Sequence, residues 1–343
     1  QLQFPKEWIH GDSDESAKVT PTKIIEKPPE SHYLTHFPKH LGCESCFKTK
    51  TQKKPHRRKG EDPKVMPLPK PMKFGDIITA DHLSFGKRDQ SQRGDRFAYG
   101  ALDRYSGWID CFPAPTKDTE SIKAAMQEFL RSDEKVENVW TDNAPELAQA
   151  ARELGYRHHR SADNRPQSNG VAERAMRRIL EGTRSTLHRS GMDHAYWHLA
   201  MRCFCANSNF TDPWGPTAYT PHELRFNGRK FKDKTIPYGA EVDYLPKSAA
   251  EVELQQKAGP GMLKGIFVGY KLNPGGAWSG EYLVFDKEAF VATGQGKWVK
   301  EHTTKEIYKP GESADDAGQL TFPIKEGRWK QQPGNVGIKR FFE

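Results

Sequence analysis

The sequence predicts an α/β protein with a mixed five-stranded sheet and flanking helices, preceded by a small His/Cys module and followed by a small β-barrel. Between residues 74 and 225, β-rich runs come first, then a helix-like run, a strand and further helices. His and Cys residues cluster just before this segment, and short alternating runs separated by Gly and Pro follow it. Apolar residues that recur every second position indicate strands, and apolar residues that recur about every 3.6 positions indicate helices.

The central segment begins with the runs "DIITADHLSF", "DRFAYGALDRY" and "GWIDCFPA", which predict an antiparallel meander. "TKDTESIKAAMQEFLRS" has apolar residues at helical spacing, and "VENVW" is a short strand. Pro145 begins a helix that Gly155 ends, and a further helix follows Asn169. This order predicts a mixed sheet in which the first and fourth strands lie side by side.

Three acidic residues, Asp81, Asp142 and Glu173, occupy the ends of predicted elements in this segment. Mg²⁺ prefers carboxylate oxygens, and two ions roughly 3.5–4 Å apart can serve both reacting oxygens of a phosphodiester. We expect Asp81 to bridge both ions, with Asp142 and Glu173 each holding one. Three ordinary surface acids are the alternative, and Asp103 is the best substitute ligand because it also sits on a predicted strand.

A second candidate metal site lies in "SHYLTHFPKHLGCESC". His32 and His36 are four residues apart, Cys43 and Cys46 form a Cys-x-x-Cys turn, and together they offer a tetrahedral Zn²⁺ site. His40 is a fifth possible ligand that can replace His32 or His36. A surface cluster without metal and a redox pair remain the alternatives.

The charge distribution favours a polyanionic partner. The net charge is +8, and residues 37–73 hold eleven Lys and Arg against three Asp and Glu, which accounts for the whole excess. Within this stretch we expect phosphate contacts from Lys53, Lys54, Arg57 and Arg58, although a solvated linker has the same composition.

Further contacts to nucleic acid are expected around the Glu173 helix. Gln167 and Asn169 can contact DNA or cap the helix, and Arg174 and Arg178 share one face suited to phosphate. No 18-residue apolar run or signal-peptide pattern is present, so we expect no membrane contact. The five Cys fit no disulfide framework and favour a reducing, intracellular location.

Several strings resemble the catalytic core of retroviral and retrotransposon integrases. "TADHLSF" with "ALDRYSGWIDCFP", "TDNAPE" and "RPQSNGVAER" resemble its three blocks in order. "MLKGIFVGY" after "IPYGAEVDYLP" resembles the segment that follows the core in copia-type LTR retrotransposons, so the resemblance covers about residues 32–290.

This resemblance implies a ribonuclease-H-like fold, two Mg²⁺ or Mn²⁺ ions, and a Zn²⁺-binding His/Cys module. It also implies an enzyme that trims the 3′ ends of element DNA and inserts them into target DNA. Implied partners are double-stranded DNA, other copies of the chain, and a larger Pol polyprotein, and the expected location is the nucleus and cytoplasm. The chain begins with Gln1, as a piece of a polyprotein or a chosen boundary would.

The alternatives are a decayed or host-adopted DNA-binding module and a transposase or nuclease of the same fold. The first is motivated by the thirty residues between Asp142 and Glu173, several fewer than is commonest in the family. The expected division of the chain is a disordered leader (1–30), a zinc-binding and basic segment (31–60), a Pro-rich linker (61–73), the core (74–225), an SH3-like β-barrel (226–310) and a tail (311–343).

Overall fold

A computed structural model describes residues 27–50, 70–142, 144–160, 166–247, 259, 261–295, 297–313 and 315–332. Its first half contains a five-stranded sheet with flanking helices. The elements in chain order are α1 (His32–Thr35), α2 (Glu44–Thr49), β1 (Ile77–Ser84), β2 (Phe97–Asp103), β3 (Ile109–Ala114), α3 (Thr119–Glu128), β4 (Asn138–Thr141), α4 (Pro145–Glu153), β5 (Arg157–Arg160), α5 (Pro166–Ser190), α6 (Trp197–Thr211) and α7 (Pro221–Arg225).

The strand order of this sheet is β3-β2-β1-β4-β5. Strands β1, β2 and β3 form an antiparallel meander, whereas β4 pairs parallel to both β1 and β5. The predicted mixed five-stranded sheet with flanking helices is therefore confirmed. The first and fourth strands are neighbours, as the element order predicts.

Alternation along β1 sends its side chains into two different cores. Ile78 and Ala80 join a cluster with Ile122 of α3 and Leu147 of α4. Leu83, on the opposite face, joins a cluster formed by α5 and α6. Each face of the sheet thus carries its own pair of helices.

Helix α5 crosses the sheet closely at Gly100. A Cβ atom there would clash with Sδ of Met176, so a larger residue would displace the Met176 side chain. Gly100 is the cross-strand partner of Asp81, and directly paired residues face the same side of a sheet. Asp81 therefore lies on the face that α5 covers, which we call the carboxylate face.

The described residues of the second half form five antiparallel strands and one short α-helix. These are β6 (Glu241–Tyr244), β7 (Leu263–Leu272), β8 (Trp278–Asp286), α8 (Lys287–Ala292), β9 (Glu301–Thr304) and β10 (Ile307–Tyr308). Their order is β10-β6-β7-β8-β9, so β9 and β10 occupy opposite edges. Only Lys305 and Glu306 separate these two strands, so the connection brings both edges of the sheet together.

Helix α6 joins the two sheets. Its Met201 and Phe204 pack toward the first sheet, while Cys203 belongs to the core shared with β7 and β8. Buried Asn207 accepts a 2.7 Å hydrogen bond from Tyr270 Oη of β7 and donates to the carbonyl of Ile236. The two sheets therefore share a continuous core rather than a flexible junction.

The described part of the predicted tail packs against the rest of the chain. Phe322 and Trp329 are buried. Phe322 lies edge-on to Tyr33 with the ring centroids 6.1 Å apart, and the Arg189 guanidinium lies over both rings. Residues 315–332 of the expected tail therefore include buried aromatic side chains, and Phe322 packs on Tyr33 beside the His/Cys segment.

Candidate metal centres and nucleic-acid interface

The sheet register brings the segments that carry Asp81 and Asp142 next to each other. Thr79 of β1 pairs with Trp140 of β4, the last register pair between these parallel strands, and Asp81 and Asp142 each follow two residues later. Asp81 shares the face of Thr79, because side chains alternate along a strand, and Asp142 comes directly after the end of β4. Asp81 Oδ1 accepts a 2.7 Å hydrogen bond from the backbone N–H of His82, and Asp142 Oδ1 accepts one of 3.0 Å from Ala144.

Glu173 lies on the helix that covers the face of Asp81. Met176, one turn further along α5, lies against Gly100, the partner of Asp81. Glu173 is exposed one helical turn earlier. Carboxylates suit hard divalent cations, since Mg²⁺ takes oxygen ligands and keeps several waters.

The carboxylate oxygens of Asp81, Asp142 and Glu173 do not all lie within 4.8 Å of one another. Among the residues that the structure describes, the sole group of three or more His, Cys, Asp or Glu with ligand atoms mutually within 4.8 Å is His32, His36, Cys43 and Cys46. Asp103, the substitute ligand, is buried and accepts hydrogen bonds from Ser106 and Gly75. Burial raises the pKa of its carboxyl group. Its role is therefore to hold the β2–β3 turn.

We call His32, His36, Cys43 and Cys46 the His/Cys cluster; all four are buried. Cys43 Sγ lies 3.4 Å from Nδ1 of His36, and Cys46 Sγ lies 3.3 Å from Nε2 of His32 and 3.9 Å from Nδ1 of His36. A tetrahedral site with Zn–S of about 2.3 Å and Zn–N of about 2.0–2.1 Å has sulfur-to-nitrogen edges of about 3.5 Å. The four side chains therefore fit Zn²⁺.

Local backbone geometry brings these ligands together. Helix α1 holds His32 and ends at His36, whose φ of 54° turns the chain back. Cys43 is the N-cap of α2, which carries Cys46 on its first turn. The ring of His40 lies 5.5 Å from that of His32, and its Nδ1 accepts from the N–H of Gly42. His40 is thus outside the cluster, and His32 and His36 supply its two imidazoles.

The electrostatics of the cluster favour the metal-binding form of one imidazole and one thiol, whereas the hydrogen bond to Cys43 and burial raise the pKa of the Cys46 thiol. Burial lowers the pKa of His36, so its imidazole is neutral, the form that binds zinc. Hydrogen bonds, first from Cys46 and then from the two imidazoles, lower the pKa of the Cys43 thiol. A low thiol pKa favours the thiolate, which is the form that coordinates metal.

An internal ion pair docks the His/Cys cluster on the core. Arg178 of α5 donates to Asp212 Oδ2 at 2.8 Å, and Asp212 Oδ1 accepts from Thr35 Oγ1 at 2.9 Å. The Arg178 guanidinium also lies over the ring of Phe37. Arg178 was expected to contact phosphate; we correct that interpretation, because its guanidinium is engaged internally. Sequence reasoning missed Asp212 and Thr35, whose pairing crosses 177 positions of the chain.

Arg178→Ala is expected to lower the free energy of unfolding by roughly 2–3 kcal/mol, somewhat less than for a fully buried pair. The substitution leaves the buried Asp212 carboxylate without its cation, and the Arg178 side chain is 24% exposed. Urea unfolding followed by circular dichroism measures the change. Arg177→Ala, an exposed neighbour, is the control and should stay within about 0.5 kcal/mol of wild type; equal losses would contradict the assignment.

Comparisons with known proteins found similarity to one curated relative and to solved structures. No family model matches the chain. The chain is 26% identical over 193 residues to a retrovirus-related Pol polyprotein from transposon TNT 1-94 of Nicotiana tabacum. That match spans 53% of this chain but 14% of the polyprotein.

Two solved structures are also similar. One is the catalytic core domain of BIV integrase, at 18% identity and a TM-score of 0.34, covering 45% of this chain and 95% of that one. The other is a simian T-cell lymphotropic virus intasome in complex with PP2A regulatory subunit B56 gamma, at 16% identity and a TM-score of 0.39, covering 73% of this chain and 84% of that one. The chain is thus similar in sequence to part of one retrotransposon Pol polyprotein.

The structure describes only some of the residues expected to contact DNA. Arg174 is exposed on α5 near Arg104, whose pKa it helps to lower after the larger effect of burial. Lys53, Lys54, Arg57 and Arg58 lie outside the described residues, as do the side chains of Gln167 and Asn169. Within the described residues, no helix is long and apolar enough to cross a membrane.

Proposed function

We propose that the chain is a retrotransposon integrase that trims 3′ ends of element DNA and joins them to target DNA. The observation that supports the proposal is the parallel pairing of β1 with β4 up to Thr79 and Trp140, since Asp81 and Asp142 each follow two residues after this pair. Water opens a phosphodiester near the element end and leaves a 3′-hydroxyl. That hydroxyl then attacks a target phosphodiester, whose own 3′ oxygen departs.

The chain's residues would divide this work. Asp81 would hold two Mg²⁺ or Mn²⁺ ions, with Asp142 and Glu173 holding one each. When bound, such ions activate the attacking oxygen and stabilise charge on the leaving oxygen. Arg174, exposed one position after Glu173, is placed to bind a phosphate beside the reacting one.

The flanking parts support DNA binding and assembly. The His/Cys cluster would hold Zn²⁺ and so keep α1 and α2 docked against α5 and α6. The second sheet, whose edges meet at Lys305 and Glu306, fits the expected SH3-like barrel, and we propose that it contacts DNA. Double-stranded DNA, further copies of this chain and a larger Pol polyprotein are the proposed partners, and the nucleus and cytoplasm the proposed location.

Incubation of the purified chain with a labelled terminal-repeat duplex and Mn²⁺ or Mg²⁺ tests the proposal. Shortened 3′ ends and longer joined products are expected with wild type and not with Asp142→Asn. Gel electrophoresis separates the two kinds of product. Products of equal amount from both proteins would overturn the assignment of Asp142.

A second candidate is a DNA-binding module without catalysis. It is favoured by the thirty residues between Asp142 and Glu173 and by the separation of the three carboxylates. DNA binding without any cleavage under either metal ion would select this alternative. A transposase or nuclease would instead cleave without joining ends to target DNA.

A further inference from the structure

Residues 319–332, which we call the strap, contact both the His/Cys segment and the second sheet. The ring of Phe322 packs edge-on against that of Tyr33, which lies in α1. The adjacent carbonyl of Thr321 accepts a 3.0 Å hydrogen bond from the N–H of Glu241 at the start of β6. Two neighbouring strap residues therefore link two parts of the fold that are far apart in the sequence.

An arginine between two aromatic rings makes the contact with the His/Cys segment. The Arg189 guanidinium lies 4.0 Å from the ring centroid of Tyr33 and 4.4 Å from that of Phe322. A cation over an aromatic face is attracted by the ring, and more strongly where water is excluded. Both rings are buried. Phe322 is therefore one of two rings that hold the Arg189 side chain.

Tyr33 connects this contact to the His/Cys cluster. It follows His32 directly, and its ring centroid lies 5.9 Å from that of His32 and 5.9 Å from that of His36, edge-on in both cases. All three side chains are buried. Because a protein interior is close-packed, one of these rings cannot move without its neighbours. The arrangement of the two imidazoles and the position of Phe322 therefore depend on each other.

A buried carboxylate fixes the strap to the second sheet. Glu241 Oε2 accepts a 3.0 Å hydrogen bond from Thr321 Oγ1 and pairs with the Arg328 guanidinium at 2.7 Å. The Glu241 side chain is 6% exposed, so loss of these partners would leave a poorly solvated charge. The strap therefore supplies much of the polar environment of this β6 residue.

The strap also lies directly against the end of α5. A Cβ atom on Gly191 would lie 2.6 Å from the backbone nitrogen of Lys325, and Gly191 has a φ of 74°. Glycine adopts this φ without strain and leaves room for the strap backbone. The path of the strap is thus fixed between its contacts with Tyr33 and with Glu241.

We propose that the strap couples metal binding at the His/Cys cluster to the attachment of the strap on β6. Ligands held by a metal ion fix Tyr33, Tyr33 and Arg189 hold Phe322, and the adjacent Thr321 holds Glu241. Such coupling is reciprocal, so a docked strap raises the affinity for zinc by the same factor by which zinc favours docking. The proposal rests on the zinc site proposed above and is independent of chemistry at the carboxylates.

The first test measures the zinc affinity of the full chain by competition with a chromophoric chelator. Phe322→Ala should lower this affinity about tenfold, within the range of roughly 5–150-fold that is usual for coupled sites. Trp329→Ala is the matched control, because Trp329 is also buried on the strap but lies beside Lys287 of α8. Its zinc affinity should stay within about twofold of wild type.

Hydrogen exchange of the wild-type chain with and without EDTA is the second test, and it requires no substitution. Peptides covering residues 239–244 and 319–326 should exchange at least about fivefold faster after chelation, because the Glu241 N–H loses its acceptor on the strap. Peptides covering β2 of the first sheet should be unchanged. Both sets are followed by mass spectrometry in the same sample.

The outcomes separate the coupling from the zinc site. Equal losses of zinc affinity in Phe322→Ala and Trp329→Ala, or equal acceleration of exchange in β2, would indicate general destabilisation and overturn the coupling. Wild-type zinc affinity in Phe322→Ala would overturn the coupling alone. A wild-type chain that binds no zinc would overturn the zinc site and the coupling together.

Discussion

Asp81→Asn is expected to reduce both 3′-end trimming and strand joining at least about a hundredfold. Removing a group that merely orients a metal ligand typically costs about 10–100-fold in metal affinity or activity, and Asp81 is the proposed bridging ligand itself. A single shared site performs both reactions, so both should fall together. Quantitative gel assays of the two products with Mg²⁺ and with Mn²⁺ measure the effect.

The substitution should leave the fold intact. Asparagine is nearly isosteric, and its side-chain oxygen can still accept the hydrogen bond from the N–H of His82. We therefore expect an unchanged unfolding midpoint and unchanged DNA affinity in the absence of divalent ions. Asp133→Asn, at a side chain that is 65% exposed, is the matched control and should retain full activity. Metal-dependent joining by Asp81→Asn at the wild-type rate would reject the assignment.

Cys46→Ser is expected to abolish stoichiometric zinc binding and to loosen the docking of α1 and α2. Zinc binding contributes about 10–16 kcal/mol in zinc-finger peptides, and a serine hydroxyl is a poor ligand for this ion. Cys46 is fully buried between both imidazoles, so no outer residue can replace it. Atomic absorption gives the zinc content, and thermal unfolding with and without EDTA gives its contribution to stability.

His40→Ala is the control for the zinc prediction. Its ring lies beside the His/Cys cluster without belonging to it, so the zinc content should remain that of wild type. Wild-type protein that purifies without zinc, and whose unfolding midpoint does not respond to EDTA or added Zn²⁺, would reject the zinc site. Loss of zinc from His40→Ala as well would show that the ligand set is assigned wrongly.

Local patterns were enough to predict the first sheet and its neighbours. The alternation in "DIITADHLSF" and the helical spacing in "TKDTESIKAAMQEFLRS" each reflect a single element, so they can be recognised without knowledge of the partners. The parallel pairing of β1 and β4 follows from element order. The His/Cys cluster was equally visible, because its four ligands fall within fifteen positions of the sequence.

Other features depended on contacts between distant segments. Arg178 looked like a phosphate ligand because its helix is basic, yet Asp212 and Ser208 take up its guanidinium. Phe322 looked like part of a tail, yet it packs on Tyr33. No local sequence pattern identifies Asp212 as the partner of Arg178 or Tyr33 as the partner of Phe322. A buried polar side chain finds whichever partner the packing brings to it, since an unpaired buried charge is costly.

The sequence by itself determined the order of elements, the two candidate metal centres and the basic character of the chain, because these depend on residue type and short spacing. Only the tertiary structure decided that Arg178 is engaged internally, that Asp81 lies on the face covered by α5, and that Trp140 and His159 stack on each other. The reason is register. Pairing between strands sets which side chains become neighbours, and no single strand carries that information.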